Sequence, residues 1–380
     1  MKNLFPFFKK NNLVYFDSAA TSLKPLSVIE RITEYYSYES VNTHRSSYPL
    51  ALKISEEIEN TRLSLKKYLN VSDEFEVIFT KNCTEAINII ALLFKPTHVL
   101  MSKEEHHSNY LPFIKNSLRQ SFIPLQKGVL NLKSIPELDY TFCTSTWISN
   151  TLGKINDIQN LGLYCKKRNI PFLVDASQVF SHRKIDLSLY HFDFLTFSAH
   201  KLYGPTGLGI LIARKSLLKD PLFLGGGTIK SIDETFVLED LPYSFEAGTL
   251  PIASILGFKK SIEFLSSLNF EEEQKKEDFL IKNIISLFEH YSLGSPLEYP
   301  DIGLCSFQTS IHPMDLSFFL GNNGICARSG KLCTEPLLKE YSLNSVLRIS
   351  LGCYNDENDL NILEEVLKKG KKYFEHFRDT

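Results

Sequence analysis

The chain of 380 residues lacks the features that would assign it to several specialised classes of protein. It has no apolar run near the ~18 residues that span a bilayer, and its first apolar stretch is interrupted by lysines too early for a signal peptide. Its 42 basic and 44 acidic residues give a formal net charge of −2, without the basic excess typical of nucleic-acid or anionic-membrane binding. We therefore expect a soluble, cytoplasmic protein that binds neither nucleic acid nor a membrane.

Cysteine is sparse as well. The seven cysteines are odd in number and form no Cys-X-X-Cys pair. A disulfide framework needs an even set of cysteines, and a structural zinc site needs closely spaced ones. We expect reduced thiols, as in cytosolic proteins, and no metal site.

The rest of the composition is typical of a folded protein of more than one domain. Apolar residues make up 43% and charged residues 23% of the chain, close to the averages for soluble globular proteins. At ~150 residues per domain, the length suggests two domains or three.

Residues 75–215 alternate short β-rich runs with longer helical ones. Several β-rich runs are continuously apolar rather than alternating, which indicates strands buried on both faces of a mostly parallel sheet. Helical stretches such as 85–94 and 158–168 connect them, so the pattern predicts an α/β fold with helices flanking the sheet. The expected strands are residues 75–80, 98–102, 140–147, 171–175, 192–197 and 209–213.

The last third of the chain predicts a smaller α+β domain. Residues 271–290 have apolar side chains at helical spacing, and another helix is expected to begin near Asn355, a suitable N-cap. Short strands are expected between them, at residues 303–309 and 346–351.

The two patterns divide the chain near residues 248–251. We expect a large domain over residues 15–250 and a small C-terminal domain over residues 251–380. Residues 1–14 are expected to pack on the small domain.

A lysine follows one of the expected strands directly. Ser198, His200 and Lys201 come just after residues 192–197, and glycines follow them. Ligands of open α/β sheets bind at the carboxyl ends of the strands. A lysine in such a crevice can form a Schiff base, because desolvation lowers the pKa of its ammonium group. Taken alone, a plain surface lysine is the commoner explanation.

Polar residues also follow three other expected strands. Asp175 needs a cationic partner if it is buried, for example the protonated ring nitrogen of pyridoxal phosphate, and its alternative role is to cap a helix. Thr84 lies where a strand leads into a helix, whose N-terminus can bind a phosphate. Ordinary capping by Cys83 and Thr84 is equally compatible with the sequence. His106 is expected either flat on a cofactor ring or in a polar loop.

Together these segments resemble the class-V aminotransferase family of fold-type I pyridoxal phosphate enzymes, and within it the cysteine desulfurases. The resemblance extends from Tyr15 to Arg348. The matching segments, in chain order, are residues 15–22, His44-Arg45, 84–88, 105–107, 149–153, 198–201 and 245–249.

The resemblance implies that pyridoxal 5'-phosphate is the cofactor and assigns it ligands. Lys201 would hold it as a Schiff base, Asp175 would pair with its ring nitrogen and Gln178 would bond to its ring hydroxyl. His106 would stack on the ring and, with Lys201 and Cys333, would be catalytic.

The resemblance also implies residues for the phosphate and for the substrate. Thr84, Ser198 and His200 would bind the phosphate, and Thr249 would reach it from the other subunit of a homodimer. Asn150 and Arg348 would bind the substrate carboxylate, Arg348 as a bidentate fork.

The segment 327–336 is similar to the desulfurase loop that bears a nucleophilic cysteine, which assigns that role to Cys333. A mobile loop would let the thiolate reach the substrate sulfur, and Lys331 and Arg328 would favour the thiolate form. The alternative is a cysteine that merely packs as a small apolar residue. Lys331 and Leu332 stand where related desulfurases often have two histidines.

The implied reaction converts L-cysteine to L-alanine, with the sulfur held as a persulfide on Cys333. A sulfur-acceptor protein would then take it for iron–sulfur cluster assembly or tRNA thiolation. A selenocysteine lyase or a class-V transaminase for another amino acid remains an alternative, and neither would need Cys333.

Overall fold

The computed structural model describes residues 1–43 and 47–376, which form two principal sheets and the helices around them. The strands are β1 Val14–Tyr15, β2 Phe75–Thr80, β3 His98–Met101, β4 Arg119–Phe122, β5 Leu125–Gln126, β6 Val129–Leu130, β7 Phe142–Thr146, β8 Phe172–Asp175, β9 Phe194–Ser198, β10 Gly209–Arg214, β11 Ile229–Ile232, β12 Phe236–Leu238, β13 Gly294–Pro296, β14 Leu304–Thr309, β15 Ile325–Cys326, β16 Arg328–Gly330 and β17 Val346–Ser350. The helices are α1 Phe7–Lys10, α2 Leu26–Tyr38, α3 Pro49–Leu69, α4 Cys83–Phe94, α5 His107–Asn116, α6 Ile158–Arg168, α7 Ile252–Ser267, α8 Phe270–His290, α9 Pro313–Asn322, α10 Glu335–Glu340 and α11 Glu357–His376.

The larger sheet has seven strands in the order β2-β10-β9-β8-β7-β3-β4. Strand β10 runs antiparallel to both of its neighbours, and the pairs from β9 to β4 are parallel. The carboxyl ends of β2, β3, β7, β8 and β9 therefore lie at one edge of the sheet, where ligands of α/β proteins bind. This confirms the expected α/β fold with a mostly parallel sheet.

Helices cover both faces of this sheet, as the continuously apolar strands predict. On β10, Ile210 and Ile212 belong to the cluster on one face, and Leu211 and Ala213 belong to the cluster on the other. Successive side chains of a strand point to opposite faces, so a strand buried on both sides needs apolar residues at every position.

The smaller sheet is antiparallel, with the order β13-β14-β17-β16. Helices α8, α9 and α11 pack with it around a separate apolar cluster that includes Ile284, Phe307, Ile349 and Leu363. The amphipathic helix expected at residues 271–290 is confirmed as α8, which places its apolar face in this cluster.

Two segments near the expected domain boundary contact the large apolar cluster. Helix α7 packs on α2 and α3, and its apolar residues belong to the cluster of the seven-stranded sheet. The ring of Phe5 lies against Tyr203 and Phe264. Strand β1 instead pairs with β15 of the smaller unit, by which we mean the four-stranded sheet with α8, α9, α11 and the segments packed on it. The division at residue 250 thus stays a proposal, and the packing of α7 favours a boundary after this helix.

Among the described helices, none is long and apolar enough to cross a membrane.

Candidate active site

A cavity of about 430 Å³ lies where the carboxyl edge of the seven-stranded sheet meets the smaller unit. Its wall contains residues that the sequence predicts at the ends of different strands, together with other predicted site residues. The predicted residues in its wall are Thr84, His106, Asn150, Asp175, Gln178, Ser198, His200, Lys201, Cys333 and Arg348. Thr249 is exposed and is not among the described residues of this wall, and His44 and Arg45 lie outside the described residues.

Lys201 lies on a short turn immediately after β9. Desolvation by burial lowers the pKa of its ammonium group, and the nearby Asp175 carboxylate opposes this shift in part. The lowered pKa increases the fraction of neutral amine at a given pH, and only the neutral amine can act as a nucleophile or accept a proton.

Asp175 is the last residue of β8 and is buried. Its Oδ1 accepts hydrogen bonds from the backbone N–H of Ser177 at 3.0 Å and from Cys83 Sγ at 3.7 Å. Burial raises the pKa of the Cys83 thiol, so the sulfur keeps its proton and acts as the donor. No described residue donates a hydrogen bond to Asp175 Oδ2, which leaves this oxygen for a cationic ligand.

The N-terminus of α4 faces the cavity. The backbone N–H of Cys83 donates to Ser198 Oγ at 2.9 Å, and the hydroxyls of Thr84 and Ser108 are hydrogen-bonded at 2.8 Å. Gly209 on β10 permits this arrangement, because a Cβ there would lie 2.3 Å from the carbonyl carbon of Asn82. Asn82 accepts from the N–H groups of Glu85 and Ala86, which leaves the Thr84 N–H as the one in this first turn without a described acceptor. This N–H and the positive end of the helix dipole favour a phosphate at this position.

Two histidines in the cavity wall are neutral at pH 7. Burial, together with the charge of Lys201, lowers the pKa of His106 to about 4 and that of His200 to about 4. His106 Nδ1 accepts a hydrogen bond from the backbone N–H of Ser108 at 3.1 Å, which requires that this nitrogen be unprotonated. His200 Nδ1 is bonded to Thr21 Oγ1 at 3.2 Å.

Arg348 is a buried cation on β17 that points into the cavity. Its Nη1 donates to the backbone oxygen of Asn150 at 2.9 Å, and its Nη2 lies 3.3 Å from Asp17 Oδ1. Burial lowers its pKa to about 10, which still leaves it charged at neutral pH. Its Nε is buried without a hydrogen-bond partner among the described residues. A buried N–H without a partner costs free energy.

Cys333 is exposed and lies in a short turn between β16 and α10. Leu332 and Cys333 have φ values of 52° and 56°, a conformation that costs non-glycine residues energy. The large sheet's loops hold this turn: Asn150 Nδ2 donates to the Leu332 oxygen at 2.9 Å, and the His107 N–H donates to the Cys333 oxygen at 2.7 Å. These two bonds join the turn to the larger sheet's loops, and the mobility expected of it stays a prediction.

The two cations expected to act on the Cys333 thiol are both paired with carboxylates. Lys331 Nζ lies 2.8 Å from Glu335 Oε1, and Arg328 Nη2 lies 2.8 Å from Asp17 Oδ2. Arg328 lines the cavity together with Cys333, whereas the Lys331 ammonium is engaged at the surface.

Several wall residues were not identified from the sequence. Cys83, considered only as a helix cap, contacts Asp175, and Ser108 and Ser177 contribute donors beside the histidine and the aspartate. Each of them is within two positions of a predicted residue, so proximity to the motifs was the available signal. Asp17, which is not among the described residues of the wall, had no such signal, because its partners Arg328 and Arg348 are more than three hundred positions away in the chain.

Comparison with known proteins agrees with this arrangement. The family model for class-V aminotransferases matches residues 14–363. A probable cysteine desulfurase of Halalkalibacterium halodurans is 32% identical over 99% of this chain and 98% of its own length. A cysteine desulfurase of Wigglesworthia glossinidia brevipalpis is 33% identical over 97% of this chain and 96% of its own.

A solved structure shows the same architecture. The cysteine desulfurase of Escherichia coli in an S-sulfonic acid form superposes with a TM-score of 0.90, at 26% identity, over 98% of each chain. The chain therefore belongs to the class-V aminotransferase family of pyridoxal phosphate enzymes, in which its full-length relatives are named cysteine desulfurases.

Proposed function

We propose that this enzyme is a cysteine desulfurase, which converts L-cysteine to L-alanine and keeps the sulfur as a persulfide on Cys333. One observation supports this most strongly: the exposed Cys333 lies in the wall of the same cavity as Lys201. A transaminase needs the lysine alone, whereas a desulfurase also needs a nucleophilic sulfur near the substrate.

The residues of the cavity fit pyridoxal phosphate. Its volume is within the range of sites for small cofactors. Lys201 would hold the cofactor as a Schiff base, and Asp175 Oδ2, which has no described partner, would pair with the ring nitrogen. Gln178 would contact the ring hydroxyl, and the neutral His106 would lie on the ring.

The phosphate would bind at the N-terminus of α4. Thr84, Ser198 and His200 would be its ligands, with the positive end of the α4 dipole beside them. When bound, pyridoxal phosphate supplies an electron sink for the negative charge that develops at the substrate Cα.

The chain's own residues perform the remaining steps. Arg348 and Asn150 bind the substrate carboxylate, since both line the cavity and Arg348 is a cation. The neutral amine of Lys201 removes the proton from Cα and later returns one, as its lowered pKa permits. Cys333 Sγ then forms an S–S bond to the substrate sulfur while the Cβ–S bond breaks. The electron pair of that bond stays on carbon and takes a proton, which gives alanine.

The persulfide would be transferred to a sulfur-acceptor protein for iron–sulfur cluster assembly or tRNA thiolation. The exposure of Cys333 supports direct access of such an acceptor. Alanine release by the purified enzyme tests the proposal. With L-cysteine limiting, we expect one alanine and one Cys333 persulfide per L-cysteine consumed, because no free thiol then remains to reduce the persulfide. Alanine formation that requires an added keto acid would instead support a transaminase.

The enzyme is also proposed to be a homodimer. Thr249 is exposed and is not among the described residues of its own cavity wall. The neighbouring Gly248 N–H donates to the Gly226 oxygen at 2.9 Å, and several apolar side chains of residues 222–237 are exposed. Large exposed apolar patches mark protein–protein contacts. The exposed side chains are Leu222, Phe223, Leu224, Ile232, Phe236 and Val237.

A mixing experiment tests whether Thr249 serves the other subunit. In a Thr249→Val homodimer the phosphate lacks a ligand, and in a Lys201→Ala homodimer the cofactor lacks its lysine. A heterodimer of the two has one complete site, so we expect alanine formation to return after the variants are dissociated and reassociated together. Heterodimers that are isolated by two different affinity tags and remain inactive would contradict the proposed role of Thr249.

A further inference from the structure

Two arginines lie side by side in the cavity wall. Arg328 and Arg348 are direct cross-strand partners in the pairing of β16 and β17, and both line the cavity. Like charges at directly opposite positions destabilise a strand pair. The charge of Arg328 is also one cause, after burial, of the lowered pKa of Arg348.

The carboxylate of Asp17 lies between the two guanidinium groups. It accepts hydrogen bonds from Arg328 Nε at 3.0 and 3.2 Å and from Arg328 Nη2 at 2.8 Å, and its Oδ1 lies 3.3 Å from Arg348 Nη2. Asp17 itself is not among the described residues of the cavity wall.

The backbone at Asp17 is itself fixed. Asp17 forms a β-bridge with Ser350, which is two residues after Arg348. The Asp17 carbonyl accepts a hydrogen bond from the Ala20 N–H at 3.1 Å. Further along the same segment, the Ala19 carbonyl accepts from Gln178 Nε2 at 2.9 Å. The carboxylate therefore holds the arginines from a preorganised position.

We propose that Asp17 is a positioning residue for the substrate carboxylate, which acts by fixing the guanidinium groups of Arg328 and Arg348. Two guanidinium charges and one carboxylate leave a single net positive charge, which matches one substrate carboxylate. The Asn150 carbonyl accepts from Arg348 Nη1 and Asp17 accepts from Nη2, and the second hydrogen on each of these nitrogens is left for the substrate carboxylate. The inference rests on the proposed function only in taking an amino acid as the ligand.

A pair of ligands tests this role without turnover. L-Alanine and ethylamine both carry a primary amine, and only L-alanine carries the carboxylate. Each is titrated against the pyridoxal phosphate form of the enzyme, and the change in cofactor absorption gives its Kd. In Asp17→Asn we expect the Kd of L-alanine to rise about tenfold or more, as for loss of a charged hydrogen bond, and that of ethylamine to stay within about twofold. For L-cysteine, KM should rise more than kcat falls.

The matched control is Asp193→Asn. Asp193 is another buried carboxylate that pairs with an arginine, Arg214, at 2.8 Å, and it lies outside the cavity wall. We expect it to lower stability without changing the ratio of the two Kd values. Equal weakening of both ligands in Asp17→Asn, or an unchanged Kd for L-alanine, would overturn the inference. Failure of the wild type to release alanine from L-cysteine would refute the proposed function and leave this comparison valid.

Discussion

Replacement of Cys333 by alanine is expected to reduce alanine release from L-cysteine by about three orders of magnitude or more, as for loss of a catalytic nucleophile. The substrate would still bind and lose its Cα proton, but no sulfur would be available to form the S–S bond. Because Cys333 lies in the substrate-facing part of the wall, beside Arg328 and Arg348, the absorption of bound pyridoxal phosphate should be unchanged.

The matched control for this variant is Cys326→Ala. Cys326 is half-buried in the same unit and is not among the described residues of the cavity wall. It should keep turnover close to that of the wild type. Normal alanine release by Cys333→Ala would contradict the nucleophile assignment. If that variant also released alanine from L-selenocysteine at the wild-type rate, the selenocysteine lyase alternative would be favoured.

Replacement of Lys201 by alanine is expected to abolish turnover by a similar or larger factor. It removes both the covalent attachment of the cofactor and the base that moves the Cα proton, and residues that act as one unit show such large single effects. The variant should lack the visible absorption of the lysine Schiff base. In the wild type, borohydride reduction followed by peptide mass analysis should find the pyridoxyl group on Lys201.

Lys24 provides the control for this prediction. It is the other lysine near the site whose pKa is lowered by burial, to about 8, and its Nζ lies 2.9 Å from Thr21 Oγ1. Its ammonium bonds to the backbone oxygen of His200 and is outside the described cavity wall. Lys24→Met should retain the Schiff-base absorption. A pyridoxyl label on Lys24 instead of Lys201 would refute the assignment.

Much of the larger sheet follows from local sequence. Strand β2 has the predicted bounds, and β8 and β10 differ from prediction by one residue, because apolar runs that end at polar residues define a buried strand clearly. Helix α7 shows the limit of this reasoning. Its apolar residues indicate that the helix is buried. They do not indicate whether it packs in the cluster of the seven-stranded sheet or in that of the four-stranded sheet.

The site was predictable where its residues follow strand ends. Lys201, Asp175 and Thr84 could be brought together because parallel strands place their carboxyl ends at one edge. The pairing of Asp17 with Arg328 and Arg348 could not, because it depends on the register of β16 with β17 and on a bridge between residues 17 and 350. No local pattern specifies a contact of that sequence separation.

The turn that carries Cys333 is joined to loops of the seven-stranded sheet by the bonds from Asn150 and His107. If the smaller unit rotates away, these two bonds must break before the sulfur can leave the cavity. The rate at which a small alkylating reagent modifies Cys333 would therefore increase as the smaller unit moves away from the seven-stranded sheet. A ligand that closes the cavity would slow the labelling, and an acceptor protein that opens it would speed the labelling.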